Sequence, residues 1–266
     1  MDIQSVKVAY FSPTGTSKTV AQAVAQGIGL NNVEQIDITQ PGAREQPLKV
    51  ASNDLLVAAV PVYAGRVPGL LMGWLQSIEA DNSPCVCIAV YGNREFDDAL
   101  LELKETLEKQ GCKAVAGAGY IGEHSFSAED TPIAVSRPDE DDLKHAQAFG
   151  AKIKEKLDSL ASADRIPALE VPGNHPYKEM VGGISADFIE VSEACTQCGI
   201  CEDLCPTNAI DYENDVMVDV DSCIRCCACI KGCPENARSM KASKVKEIAK
   251  WLADNCKEPK QPVNFL

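Results

Sequence analysis

One spacing of cysteines occurs twice and constrains this 266-residue chain more than any other feature. The runs are CTQCGICEDLCP, from Cys195 to Pro206, and CIRCCACIKGCP, from Cys223 to Pro234. Each reads C-x2-C-x2-C-x3-C-P, and the copies are offset by 28 residues. Cys195, Cys198, Cys201 and Cys205 thus match Cys223, Cys226, Cys229 and Cys233. Three thiolates on a tight loop with a fourth just beyond suit an iron–sulfur cube. Structural zinc instead favours separated C-x2-C pairs, and disulfides need an oxidising compartment. The pattern predicts two [4Fe–4S] clusters and single-electron chemistry.

The doubled run resembles the bacterial two-cluster ferredoxins, and that resemblance implies that the fourth cysteine of each run serves the other cluster. One cluster would take Cys195, Cys198, Cys201 and Cys233; the other would take Cys223, Cys226, Cys229 and Cys205. Cys227 breaks the rhythm, because Gly199 stands at its place in the first run. It reads as a packing thiol rather than a ligand. Cys85 and Cys87 fall on an apolar strand, where small buried thiols are ordinary.

The part before the cysteines alternates strand and helix signals. Strands are predicted over 6–11, 33–38, 55–60, 85–91 and 112–121. Helices are predicted over 17–28, 70–78, 97–110 and 139–160, with Gly27 and Gly29 ending the first. Five alternations argue a doubly wound parallel α/β sheet with its ligand site at the strands' carboxyl ends. Residues 1–160 form this predicted domain. Residues 161–186, with Pro167, Pro172, Pro176, Gly173, Gly182 and Gly183, read as linker. The cysteine-rich domain is predicted over 187–240. An amphipathic helix over 244–255, with Val245, Ile248, Ala249 and Leu252 on one face, opens the tail 241–266.

Three loops follow strand ends. Ser12-Pro13-Thr14-Gly15-Thr16-Ser17 leads into the first helix. Its hydroxyls and a helix N-terminus suit a monophosphate, and it lacks the P-loop and dinucleotide-fold patterns. Pro61-Val62-Tyr63-Ala64-Gly65-Arg66 and Tyr91-Gly92-Asn93-Arg94-Glu95-Phe96 each pair glycine with aromatics. A later polar loop carries His124, either a donor to a ligand or a capping side chain.

These loops resemble those of the flavodoxins, over roughly residues 3–160. The resemblance implies FMN, with the phosphate at Ser12, Thr14, Gly15, Thr16 and Ser17. Tyr63 and Phe96 would flank the ring, and Gly92 and Asn93 would meet its pyrimidine edge. Pro61, Val62, Ala64, Gly65 and Tyr91 complete the loops. Arg66 departs from the flavodoxin pattern, and a cation beside the ring would favour the reduced flavin. PVYAGRVP and YGNREFDDALLEL look like a family of anaerobe fusion proteins that join a flavodoxin-like domain to a two-cluster ferredoxin domain.

Charge narrows the partners. The chain carries 39 acidic and 25 basic residues, a net −14. Residues 187–240 hold 11 acidic and 3 basic residues. Nucleic acid is a poor partner for such a surface, while an acidic face steers a basic redox protein. No apolar stretch has the length of a membrane span, and the start of the chain lacks a basic, apolar leader, so a reducing cytoplasm is expected. The resemblance implies an electron-transfer flavoprotein of anaerobic metabolism that passes electrons between FMN and two [4Fe–4S] clusters, with unidentified redox proteins as partners. The competing reading is an FMN-dependent reductase of small molecules, fed by its own clusters.

Overall fold

The central strands, over Asp54–Pro61 and Ser83–Tyr91, are apolar enough to be buried on both faces, as in a parallel sheet sandwiched by helices. The computed structural model describes residues 1–179, 186–211 and 217–266; Gly182 and Gly183 lie outside them. Five parallel strands form the sheet: β1 (Ser5–Tyr10), β2 (Val33–Asp37), β3 (Asp54–Pro61), β4 (Ser83–Tyr91) and β5 (Cys112–Ile121). All nine residues of β4 are buried. A sixth strand, β6 (Val263–Phe265), runs antiparallel along β5, with Val263 opposite Gly119 and Phe265 opposite Gly117. The order β2-β1-β3-β4-β5-β6 contains the flavodoxin-like 2-1-3-4-5 arrangement, whose switch point lies between β1 and β3.

The tail therefore does not hang free, as a terminal appendage would. After the helix over Lys244–Asn255 it returns to cover the sheet's outer edge, which removes an exposed β5 edge. The fold thus has five parallel strands, as the alternation predicts, plus one that the alternation does not mark.

Helices α1 (Thr16–Ile28) and α4 (Glu140–Ser159) cover one face; α2 (Met72–Gln76) and α3 (Ala99–Lys109) cover the other. The helix over Lys244–Asn255 is α5. Gly29, at φ 73°, caps α1, but Gly27 lies inside the helix rather than ending it. A Cβ on Gly27 would stand 1.9 Å from the Gln147 carbonyl oxygen, and one on Gly150 would stand 2.1 Å from that of Val24. The glycines are there because α1 and α4 cross backbone to backbone.

The proline-rich stretch after α4 is a strap. Leu169 and Val171 pack on the core, and the Asn174 and Lys178 backbone N–H groups donate to the Asp98 carboxylate at 2.8 and 2.6 Å. In the cysteine-rich part, short antiparallel pairs join Ile189–Val191 to Arg238–Met240 and Ile210–Asp211 to Met217–Val218. Among the described residues no helix is long and apolar enough to cross a membrane.

The α1–α4 crossing generates a prediction. Gly150→Ala forces the helices apart and is expected to destabilise the protein by about 1–3 kcal/mol, read as a lower thermal midpoint. An unchanged midpoint would show that the crossing is loose.

Candidate functional site

The doubled cysteine run folds as a doubled backbone. Gln197, Gly199 and Asn208 have φ of 53°, 79° and 52°; Arg225, Cys227 and Asn236 match them at 59°, 58° and 49°. Each left-handed residue recurs 28 positions later. Gly199 and Cys227 each precede a short helical turn, over Ile200–Asp203 and Ala228–Lys231. Cys227 thus occupies a position that glycine fills without strain. The fourth thiol of each run receives a backbone donor from four residues on: Ala209 N–H to Cys205 Sγ at 3.2 Å, and Ala237 N–H to Cys233 Sγ at 3.3 Å. Such bonds are among the means by which proteins set cluster potentials.

The thiols surround two cavities. One, of about 350 Å³, is lined by Cys195, Cys198, Cys201 and Cys233. The other, of about 330 Å³, is lined by Cys205, Cys223, Cys226 and Cys229, with Cys227 at its wall. The fourth cysteine of each run therefore stands at the other run's cavity. All thirteen cysteines are free. Among the described residues no three Cys, His, Asp or Glu side chains converge as tightly as a single ion requires. A [4Fe–4S] cube takes one thiolate at each of its four irons, and the four thiols lining each cavity fit that donor set.

The third cavity, of about 430 Å³, opens at the carboxyl ends of β1, β3, β4 and β5. Ser12, Thr14, Thr16 and Ser17 line one end, and Pro61, Val62, Tyr63, Tyr91 and Gly92 line the other. Gly15, at φ 88°, gives the tight turn into α1. The N-cap residue is glycine and offers no side chain, Ser12 Oγ accepts from the Lys18 N–H at 3.0 Å, and the fully buried Ser17 Oγ has no hydrogen-bond partner. An orphaned buried hydroxyl at a helix start fits an anion that would supply its missing acceptor. Tyr63 is held at the rim by a tight turn: its N–H and carbonyl each pair with Arg66 at 3.0 Å, with Ala64 and Gly65 at positive φ.

Several residues expected at this cleft are engaged elsewhere. The Arg66 guanidinium binds Glu102 through two bonds of 2.8 and 2.6 Å, donates to the Lys178 carbonyl and stacks 4.8 Å over Tyr177. Buried Glu102 claims the cation more strongly than an open cleft does, so Arg66 does not face a ring. Phe96 lies against Gly119 and edge-on to Tyr91 at 5.4 Å. It backs the cleft's aromatic wall, and Tyr91 rather than Phe96 lines the cleft beside Tyr63. The Asn93 side chain is buried, donates to the Cys256 and Glu258 carbonyls and accepts from the Lys260 N–H at 2.9 Å, so it clamps the returning tail. Gly65 gives room for Asp97 rather than for a ligand.

His124, with Glu123 and Ser125, completes the cleft wall. Its ring sits against Gly92, where a Cβ would stand 2.2 Å from Cδ2. Nδ1 accepts from the Phe126 N–H at 3.0 Å, which places the proton of the neutral ring on Nε2. Burial, with Lys231 and Arg94 nearby, pushes its pKa down to about 4. The sequence offers only a histidine after a strand; the glycine that receives its ring comes from a different strand end.

The second cysteine loop packs against this cleft. Ile224 joins the core cluster that holds Phe11 and Tyr91, and Tyr63 lies within electrostatic reach of Cys226, Cys227 and Cys223. Phe126 packs on a cluster containing Phe188 and Cys227. Lys231 binds Glu123 at 2.6 Å and the Ser127 carbonyl at 3.3 Å. Arg44 reaches the Pro206 carbonyl at 2.7 Å.

Two predictions follow from this geometry. Cys227→Gly relieves a left-handed φ worth about 1 kcal/mol and loses a buried thiol, so stability should change by less than about 1 kcal/mol, with iron content unchanged. Iron loss equal to that of Cys226→Ser would make Cys227 a ligand. For His124 the folded pKa is depressed from about 6.5 to about 4, so its contribution to stability is complete above the higher value and is lost as pH falls towards the lower one. Thermal midpoints of His124→Gln should therefore decline less than wild type between those values; parallel profiles would show that the ring is solvated.

Residues 189–211 match the model of the 4Fe-4S binding domain. No curated protein sequence matches the chain. Among solved structures, a short-chain flavodoxin associated with a non-canonical PDU bacterial microcompartment is 19% identical, with a TM-score of 0.41, and covers 60% of this chain and 100% of its own. The two-electron reduced flavodoxin of Megasphaera elsdenii is 12% identical at a TM-score of 0.37, covering 55% and 98%. An apo NADH:FMN oxidoreductase is 13% identical at 0.40, covering 62% and 95%. Strand order on one side and the matched cysteine run on the other make the chain a flavodoxin-like sheet joined to a 4Fe–4S binding domain.

Proposed function

We propose that this chain is an electron-transfer flavoprotein that exchanges single electrons between FMN in the strand-end cleft and two [4Fe–4S] clusters in the thiol-ringed cavities. FMN accepts electrons in pairs and releases them singly, and the clusters carry them one at a time. The observation that carries the reading is the packing of the second cysteine loop on the cleft half: Ile224 packs on the core cluster that holds Tyr91, and Lys231 pairs at 2.6 Å with Glu123 on the cleft wall.

The chain's own residues divide the work. The turn at Gly15 and the buried Ser17 hydroxyl receive the phosphate. Tyr63 and Tyr91 provide aromatic faces for a planar ring. His124 presents a neutral Nε2–H donor whose direction is fixed by the Phe126 N–H. Ile224, Phe126 and Phe188 keep water from the junction between the sheet and the second thiol ring, which lowers the local dielectric.

Anaerobic reconstitution tests the reading. The protein should bind one FMN and about eight irons per chain, and Ser17→Asp should weaken FMN binding at least tenfold while leaving the iron count intact. About four irons, or flavin absorbance that never responds when the iron–sulfur absorbance is bleached by a one-electron reductant, would overturn it.

A further inference from the structure

The internal repeat allows one cysteine loop to be compared with the other position by position. Loop two is covered: Cys226 is 8% exposed and Ala228 2%, with Ile224 and Arg225 partly buried. Loop one has the same backbone and faces solvent. Thr196, Gln197 and Cys198, which match Ile224, Arg225 and Cys226, are all exposed, and Ile200, which matches Ala228, is 37% exposed. Its contacts with the sheet half lie at the end of the helical turn and just beyond it, where Gln40 donates to the Asp203 carbonyl at 2.8 Å and Arg44 to the Pro206 carbonyl at 2.7 Å.

The charges differ in sign at equivalent places. Loop two carries Lys231, which pairs with Glu123 beside the cleft at 2.6 Å. The matching residue of loop one is Asp203, preceded by Glu202, and both side chains are exposed. The covered loop thus offers a cation to an acidic neighbour, and the open loop offers anions at the matching position. Glu193 and Glu235, also exposed, extend that acidic rim around the first thiol ring.

The geometry points to a polarity: the second thiol ring serves the cleft, and the first cysteine loop, with Ile200 at its centre and Glu202 and Asp203 at its rim, is the docking face for a basic one-electron redox protein. This rests on the proposed function. At that face one electron leaves the reduced cluster and reduces the partner's one-electron centre; no bond forms or breaks and no proton moves. The short exposed step at Cys198 brings the first ring closest to such a partner, while the second ring is shielded by the sheet half.

Cytochrome c, a basic one-electron acceptor, is the probe. Full-length protein loaded with flavin and iron is reduced, freed of reductant and mixed with ferric cytochrome c. Glu202→Lys/Asp203→Lys should slow haem reduction about tenfold at low salt, and the deficit should shrink at about 0.5 M salt. The control Glu155→Lys/Glu170→Lys, which makes the same charge change on exposed residues of the sheet half, should stay within twofold of wild type. Unchanged iron content and visible spectrum establish that each variant is intact. Ile200→Ser, which alters no charge, should also slow the reaction, by severalfold. Equal rates for the loop-one and control variants, or a wild-type rate independent of salt, would overturn the assignment of the face. The proposed function is read separately in the same samples: if flavin absorbance fails to follow the clusters while Glu202→Lys/Asp203→Lys is still slow, that reading falls and the docking face stands.

Discussion

The burial of the second cysteine loop against the carboxyl ends of the sheet is the contact on which the rest of the structure depends. A parallel sheet brings the loops after β1, β3, β4 and β5 to one edge, and in this chain that edge is covered by its own cysteine-rich half. Ile224 packs against the apolar core, Lys231 pairs with Glu123, and Phe126 bridges to Phe188. Apolar burial supplies the association, and the ion pair and backbone hydrogen bonds fix its register. Without this contact the two halves would be tethered modules meeting at an effective concentration set by their linker. With it, the cleft and one thiol ring are held at a constant separation.

Two further devices hold that arrangement. Asn93, in the left-handed region at φ 62°, directs its amide into the returning tail, and β6 then pairs along β5. The strap after α4 fastens the opposite side through Asp98 and through Tyr177, which stacks under Arg66 and donates to Glu105. The loops that line the cleft are thus tied outward to segments that follow them by more than 70 residues, and so are positioned by the whole chain rather than by their own turns.

That is also why the sequence shows some parts and hides others. The five strands, the helices between them and the two cysteine runs carry local signals: apolar runs, a 3.6-residue period, a fixed ligand spacing. The phosphate turn at Ser12–Ser17 is equally local. Arg66, Asn93 and Phe96 are not, because each has a partner remote in the chain. Glu102 lies 36 residues from Arg66, and Lys260 lies 167 from Asn93. A family pattern assigns those side chains to a ring; the added tail and strap draw them elsewhere. β6 has only three residues, too few for a periodic signal, and Gly27 reads as a helix stop until α4 is found against it.

Cys227 shows how the second loop answers to its surroundings. Both loops need a residue at positive φ before their helical turn, and in loop one that residue is Gly199, as backbone sterics favour. In loop two the same backbone faces Phe126, Phe188, Ala186 and Val245 rather than water. A glycine there would leave a void at the junction, with the loss of dispersion contacts that an unfilled space brings. A thiol is small enough to be tolerated at φ 58° and apolar enough to fill the space. The cost of an unfavourable backbone angle is offset by packing only where the loop is covered, so the extra cysteine marks the covered loop.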